Sequence, residues 1–260
     1  IIWAATEARL VDVRQNRISQ TFTPPQERAW IQDLIISQDG AMLITGGGYF
    51  FRNNNPDFTR APLLYQWDIE SGALIRTFDD ERFEAREGLN QSVTALAFSP
   101  NERFIAVGME DGTIYLWDVR EGTLTQEYVG HSDQITTLDF TRDGTRLLSG
   151  SVDRTILLWN VSDGQLLRRY TGHTGAIRSV RFSSDETQLL SGSEDTRMIL
   201  WDVNTGQPLR TFSGQDAPIT AVDFTPDGQF ALSGAVDGSM WVWGIGDAGD
   251  VLAYANNNRY

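Results

Sequence analysis

The sequence predicts an all-β protein assembled from repeated four-stranded antiparallel sheets, and three observations predict it. The first is self-similarity at a fixed offset. Gly130-His131 recurs as Gly172-His173, Asp153 as Asp195, and Trp159-Asn160 as Trp201-Asp202, each 42 residues on. The same step leads forward to Trp243 and back to Trp117-Asp118. Such a period marks a repeat architecture in which each repeat is one supersecondary unit. The second is that short β-rich runs alternate with turn residues inside the repeat, at the spacing of an antiparallel meander. The third is a supply of bulky packing residues, eight Trp, thirteen Phe and seven Tyr in 260 residues, enough for one large all-β core.

One repeat shows the elements in order. Ile135 to Phe140 is a β-rich run, and Thr141-Arg142-Asp143-Gly144 is a tight turn closed by glycine. Arg146 to Ser151 is a second run, followed by the turn Ser151-Val152-Asp153-Arg154. Thr155 to Val161 is almost continuously apolar, as a strand buried on both faces should be. Ser162-Asp163-Gly164 turns again, and Gln165 to Thr171 is a fourth, more polar run. A meander of this kind has two faces to bury and must stack on copies of itself. Closing the stack into a ring gives a β-propeller.

Along the chain, a partial repeat occupies residues 1–23, and complete ones occupy 27–78, 91–129, 131–171, 173–213 and 215–257. Ile1 to Thr6 matches a second strand, Ala8 to Val13 a third and Ile18 to Phe22 a fourth, with Val11 at the Trp position. The expected content is therefore five full blades and one lacking its innermost strand. The first residue is Ile1 rather than Met, and the chain reads as a fragment of a longer product.

These residues resemble the WD40 repeat propellers, whose signature is Gly-His and Trp-Asp at a period of ~40–45 residues. Here the Gly-His pairs are Gly130-His131 and Gly172-His173, and the Trp-Asp pairs are Trp67-Asp68, Trp117-Asp118 and Trp201-Asp202. Trp159-Asn160 and Trp243-Gly244 are variants, and the resemblance covers nearly the whole chain. It implies a ring of seven blades of which this chain is part; the alternative is a six-bladed ring with a three-stranded first blade. It also implies a network inside each blade: His131 with Ser149 or Ser151, Asp153 and Trp159, and His173 with Ser191 or Ser193, Asp195 and Trp201. An enzymatic Ser/His/Asp reading is disfavoured by the repetition itself, since each histidine belongs to its own repeat. Gln91 and Gln215 stand near the equivalent places in blades without His, where the network should be weaker.

Two places break the rhythm. Trp67 to Trp117 is 50 residues and Val11 to Trp67 is 56, the surplus falling in Gly46 to Arg60 and in Asp79 to Asn90. Both connections should emerge on the same face of a four-stranded blade. The first carries Tyr49, Phe50, Phe51, Arg52, Phe58 and Arg60, residue types enriched at interface hot spots. It is read either as a contact loop for a protein partner or as a self-packed surface loop. The second, with its mixed charge, reads as a solvated helical turn.

First strands of a propeller line its channel. The residues expected there are Ile35, Ala97, Asp139, Arg181 and Asp223, with Asp and Arg pairing or holding a small charged ligand. All 21 basic residues are Arg, and against 35 Asp and Glu they leave a net charge of −14, which opposes a phosphate-driven nucleic-acid partner. The absence of Cys removes disulfides and thiolate metal sites. No phosphate-binding glycine loop opens a helix and no apolar run has membrane-span length. The expectation is a non-catalytic scaffold or sensor that presents loops to a protein or peptide. It carries no cofactor or metal, has no nucleic-acid or membrane partner, has further domains in the same polypeptide, and is located in the cytoplasm. The rival readings are a small-ligand or enzymatic propeller using its channel, and an architectural subunit of a large assembly.

Overall fold

The computed structural model describes residues 2–4, 6–25, 29–49, 64–80, 92–245 and 252–254. They form β-sheet throughout, in two compact units, Ile1–Glu127 and Tyr128–Tyr260. Unit 1 holds β1 (Ile2–Ala4), β2 (Glu7–Asp12) and β3 (Arg17–Phe22), then β4 (Ala29–Ile36), β5 (Met42–Tyr49), β6 (Leu64–Asp68) and β7 (Leu74–Phe78). Its third sheet is β8 (Val93–Phe98), β9 (Phe104–Met109), β10 (Ile114–Asp118) and β11 (Thr123–Tyr128), the last residue being counted with unit 2. Unit 2 holds β12 (Ile135–Phe140), β13 (Arg146–Ser151), β14 (Ile156–Asn160) and β15 (Leu166–Tyr170). They are followed by β16 (Ile177–Phe182), β17 (Gln188–Ser193), β18 (Met198–Asp202) and β19 (Pro208–Phe212), and by β20 (Ile219–Phe224), β21 (Phe230–Ala235), β22 (Met240–Gly244) and β23 (Leu252–Tyr254). Every sheet is a meander with its strands in sequence order.

Burial follows the order of strands. Four of the five residues of β14 are buried, whereas Leu166 and Leu167 on the outermost strand β15 are about half exposed. In β12 and β16 the register shifts after the first residue, between Ile135 and Thr137 and between Ile177 and Ser179. These bulges twist the strand locally and turn its side chains. Leu148, Ile156 and Leu158 of one sheet then pack on Ile177, Val180 and Ile199 of the next. Each face is thus a layer of aliphatic side chains, worth about 1.5–3 kcal/mol per fully buried residue.

The penultimate residue of the second strand, a glycine, makes that contact possible. A Cβ on Gly150 would lie 2.6 Å from Ile177 Cγ2, and one on Gly192 2.6 Å from Ile219 Cγ2. The next sheet's β-branched residue occupies the space that a side chain would need. In unit 1 the same device explains a departure from the sequence reading. Gly46-Gly47-Gly48 reads as the start of a loop, but β5 runs through it to Tyr49, paired with β4. A Cβ on Gly46 would meet Val93 at 2.4 Å and one on Gly48 would meet Ser92 at 2.4 Å. Three glycines persist in a strand because neighbouring atoms, side chains at Gly46 and Gly48 and the Trp30 backbone at Gly47, fill their Cβ space, which no local pattern reveals.

Turns carry the second set of repeated contacts. In Thr141-Arg142-Asp143-Gly144 the Thr141 hydroxyl donates to Asp143 Oδ1 at 2.7 Å, and that oxygen accepts the Thr145 N–H at 2.9 Å. Ser37/Asp39, Ser183/Asp185 and Thr225/Asp227 repeat the hydroxyl–carboxylate bond. Gly40, Gly144 and Gly228 close their turns at positive φ. Glu102 and Glu186 take that position at φ 53° and 58°, a left-handed conformation that costs a residue with a Cβ about 1–2 kcal/mol. Each uses its carboxylate to accept a backbone N–H from the preceding sheet's turn, Glu102 from Gln38 and Glu186 from Arg142.

Adjacent first strands are also linked by side chains. Thr137 Oγ1 accepts the Val180 N–H at 3.4 Å and Ser179 Oγ accepts the Val222 N–H at 3.2 Å. In unit 1 the same place holds Asp33, whose Oδ2 accepts the Leu96 N–H at 2.7 Å and Oδ1 the Leu34 N–H at 2.8 Å. Burial pushes this carboxyl up to about 6, against the pull of both N–H donors. A folded-state pKa above the unfolded one stabilises the protonated form. The contribution is therefore full below about pH 4 and is lost as pH rises towards 6. Asp33→Thr, which installs the side chain found at Thr137, is expected to flatten the stability profile between pH 4 and 6 while leaving the melting temperature at pH 7 equal or higher. Thermal unfolding across that range checks it; a profile unchanged by the substitution would remove Asp33 as the cause.

Candidate functional site

The only histidines of the chain, His131 and His173, lie at the same place in consecutive sheets of unit 2. His173 precedes β16, Ser191 is on β17, Asp195 is in the turn after β17, and Trp201 is on β18. Trp201 Nε1–H donates to Ser191 Oγ at 2.8 Å, His173 Nε2 lies 2.8 Å from that oxygen, and His173 Nδ1 lies 2.9 Å from Asp195 Oδ2. His131, Ser149, Asp153 and Trp159 repeat the arrangement at 2.8 Å for each of the three contacts. An indole N–H can only donate, so serine accepts from it and passes its own proton to Nε2, leaving Nδ1–H for the carboxylate. Of the two serines in each repeat, Ser149 and Ser191 join the network. Ser151 instead donates to the Asp133 carbonyl at 2.8 Å.

Charge agrees with this chain of donors. Burial lowers the His173 pKa, although the bond to Asp195 opposes it, so the imidazole is neutral at pH 7. For Asp195, burial acts upward but is outweighed by the Thr174 N–H and by His173, and the net direction is downward. Asp153 likewise lies well below the usual carboxylate range: burial is overcome by bonds from His131, Thr155 and Ser132.

A serine, histidine and aspartate so connected have the order of a hydrolytic triad. Here Ser149 and Ser191 have 0 % exposure and already accept an indole proton. A substrate carbonyl has no approach to either hydroxyl. The groups satisfy one another and fasten the turn after the second strand to the third strand.

Other sheets show which parts of the pattern can be exchanged. In the third sheet of unit 2, Trp243 Nε1–H donates to Ser233 Oγ at 2.8 Å, and Ser233 donates to Gln215 Oε1 at 2.6 Å. The amide replaces imidazole without the link to a carboxylate. In unit 1, Trp67 donates to Thr45 Oγ1 at 2.9 Å. The acid after Trp acts elsewhere, on the turn that follows the third strand. Asp118 Oδ1 accepts the N–H groups of Arg120 and Glu121, each at 3.0 Å. Asn160 Oδ1 accepts the Ser162 N–H at 2.9 Å, so the Trp-Asn variant keeps the turn. Such caps need an oxygen, not a charge.

The expected contact residues Phe50, Phe51, Arg52, Phe58 and Arg60 lie outside the described residues, as does the Tyr49 side chain; the Tyr49 backbone ends β5. The segment expected as a helical turn, from Asp79, falls outside them beyond Asp80. Among the first-strand residues, Asp139, Arg181 and Asp223 line a cleft of ≈ 340 Å³ in unit 2 together with Arg142 and Glu186. The expected Asp–Arg pairing is not what forms there. Among the described residues no ion pair joins Arg181 to either aspartate: the Arg181 guanidinium donates to the Val180 carbonyl at 2.8 Å, and Asp139 accepts the Phe182 N–H at 2.9 Å. Backbone groups of the edge strand β16 engage both side chains instead. The reach of Glu102 and Glu186 escapes a reading of the sequence; its one signal is a Glu standing where sister repeats have Gly40, Gly144 and Gly228.

Repeated antiparallel four-stranded sheets, each with a buried tryptophan on its third strand, define a WD40-repeat β-propeller. Within that class, the family model described as the IFT122 first beta-propeller matches residues 92–258, and the chain belongs to that family. A relative, the WD repeat-containing protein VIP3 of Arabidopsis thaliana, is 28% identical over 129 residues, 48% of this chain and 36% of that protein. The match thus spans little more than a third of that relative's length. A chain in the crystal structure of the mitotic checkpoint complex superposes with a TM-score of 0.76 at 20% identity, covering 94% of this chain and 69% of that one. That likeness establishes the fold. Membership of a WD repeat family makes a protein-interaction scaffold the general class.

Proposed function

We propose that this chain is a non-catalytic interaction module whose packed sheets hold loops in place for a protein or peptide partner, with Tyr49, Phe50, Phe51, Arg52, Phe58 and Arg60 as the contact set. The observation that carries this reading is the fate of the reactive side chains: both Ser–His–Asp groups are consumed inside their sheets as packing devices. What distinguishes one repeat from another is then its connections. The longest connection inside a sheet joins β5 to β6; it combines three aromatic residues with two arginines and follows directly on Tyr49, the last residue of β5. Loops on rigid scaffolds are where binding residues concentrate. A chain of similar fold is found in a multiprotein complex, which supports a protein as the partner class.

Replacing Tyr49, Phe50, Phe51 and Arg52 together by Ser and Ala is expected to leave the melting temperature unchanged and to deplete partners captured by affinity purification. An unaltered set of co-purifying proteins would sink this reading. A second reading, assembly through sheet edges, is favoured by Leu166, Leu167 and Leu209, which are 44%, 45% and 51% exposed on the outermost strands β15 and β19. Loss of partners on substituting those leucines, with the loop variant intact, would select it.

A further inference from the structure

The cleft of unit 2 holds charge that the sheets do not use. Asp139, Arg181 and Asp223 stand at one position of three successive first strands, β12, β16 and β20, and all three line the cleft. In unit 1 that position holds Ile35 and Ala97, so the strand does not require a charge there. Each charged group spends only part of its bonding capacity, and spends it on backbone. Asp139 Oδ2 accepts the Phe182 N–H at 2.9 Å, and Asp223 Oδ1 accepts the Phe224 N–H at 2.8 Å. Arg181 gives one N–H of its five-donor fork to the Val180 carbonyl at 2.8 Å. The second oxygen of each aspartate and the rest of the guanidinium are left for the cleft. Burial pushes the Asp139 carboxyl up to about 6; the Phe182 N–H and Arg181 hold it down, and Asp223 and Glu186 add to the rise. A carboxylate in that position gains from a close cation, which the sheets themselves do not bring to it.

We infer that the cleft binds a small zwitterion, an α-amino acid with an apolar side chain, its ammonium on Asp139 and its carboxylate on Arg181. Both signs of charge are needed in one molecule. A lone cation would meet Arg181 and Arg142, and a lone anion would meet Asp139, Asp223 and Glu186, all of which line the same space. A ligand carrying both charges a few atoms apart meets an opposite charge at each end. Its side chain lies against Phe182 and Phe224, which are half-buried in the wall of the cleft. The volume of ≈ 340 Å³ suits a molecule of that size, at the lower end of small-ligand pockets. Tying the next strand by an N–H accounts for Asp139 alone, since Asp33 does the same in unit 1; it leaves Arg181 and Asp223 without a purpose, and the zwitterion supplies one. This site lies in unit 2, away from the loop between β5 and β6, and its failure would leave the loop reading standing.

NMR titration of the whole chain with L-leucine and L-phenylalanine tests the inference, with the N-acetyl and the amide derivative of each as probes that lack one charge. At least one of the two amino acids is expected to bind with a Kd of about 1 mM or lower, and blocking either end is expected to weaken it at least tenfold. Asp139→Asn keeps an oxygen for the Phe182 N–H and removes the charge. It should abolish the preference for the free amine and leave binding of the N-acetyl derivative as it was. Arg181→Gln should abolish the preference for the free carboxylate and leave binding of the amide as it was, and it decides the matter alone if Asp139→Asn does not fold. Asp163→Asn, the same loss of charge in the turn between β14 and β15, should alter neither. No binding of either amino acid would overturn the inference. So would a blocked derivative that binds as tightly as its parent, or titrations that Asp139→Asn and Arg181→Gln leave unchanged.

Discussion

Trp201→Ala is expected to lower the melting temperature of the chain by roughly 10 °C or more, the largest effect of any single truncation in the network. The indole is 1% exposed and packs edge-on against Tyr170, with ring centroids 5.9 Å apart. Deleting it removes the transfer contribution and leaves a cavity, about 3–5 kcal/mol for a buried Trp. It also leaves Ser191 Oγ without the 2.8 Å indole donor. Ser191→Ala and His173→Ala test the polar part separately. Each strands a buried donor or acceptor and is expected to cost about 1–3 kcal/mol. Trp201→Phe keeps most of the volume and should fall between. The measurement is thermal unfolding followed by circular dichroism. If Ser191→Ala and His173→Ala leave the transition where it was, the hydrogen-bonded network contributes nothing to stability and the role assigned to it fails.

The second large effect is expected at Gly47. A Cβ there would stand 1.7 Å from the Trp30 carbonyl oxygen and 2.8 Å from its carbonyl carbon. Backbone cannot yield as a side chain does, so the pairing of Ile31 with Gly47 must break. Gly47→Ala should cost about 3 kcal/mol or more, at the upper end of overpacking effects. Gly48→Ala meets side-chain atoms, the Ser92 hydroxyl and Cβ and the Trp30 indole nitrogen, rather than backbone. Gly40→Ala has open space around it and bears only the left-handed backbone, φ 72°, about 1–2 kcal/mol. The expected order of stability is thus Gly40→Ala above Gly47→Ala by a wide margin. Equal losses at the two positions would show that the close approach to Trp30 is not what requires glycine.

The contrast between these two sites shows what can be read in the sequence. Repetition at 42 residues makes the all-β repeat fold legible, because apolar runs and turn tetrads recur in phase. The residues of the network are visible for the same reason, though not their full pairing. Ser149 and Ser151 are two apart on one strand and face the same side, so alternation cannot choose between them. Position along the strand decides: Ser149 lies beside Leu157, within reach of Trp159, and Ser151 near the turn. Gly46-Gly47-Gly48 misleads because the atoms that exclude its side chains come from Trp30, Ser92 and Val93, distant in sequence. Charge alone pairs Arg181 with aspartate, whereas the bulged strand offers it a carbonyl at 2.8 Å. Local patterns announce elements, and it takes the packed neighbour to say which atoms are already spoken for.

The carboxylates of Glu102 and Glu186 have a consequence for assembly order. Near-identical repeats are prone to pairing with the wrong copy during folding. Gln38 and Arg142 each offer an N–H to the Glu of the following sheet, whereas the corresponding positions Pro100 and Pro226 have none to offer. Ser184 faces a successor whose matching residue is Gly228, which has no carboxylate. One seam in each unit therefore carries an address that the others lack, written in one backbone proton and one acid, by which a chain of look-alike parts can sort those neighbours.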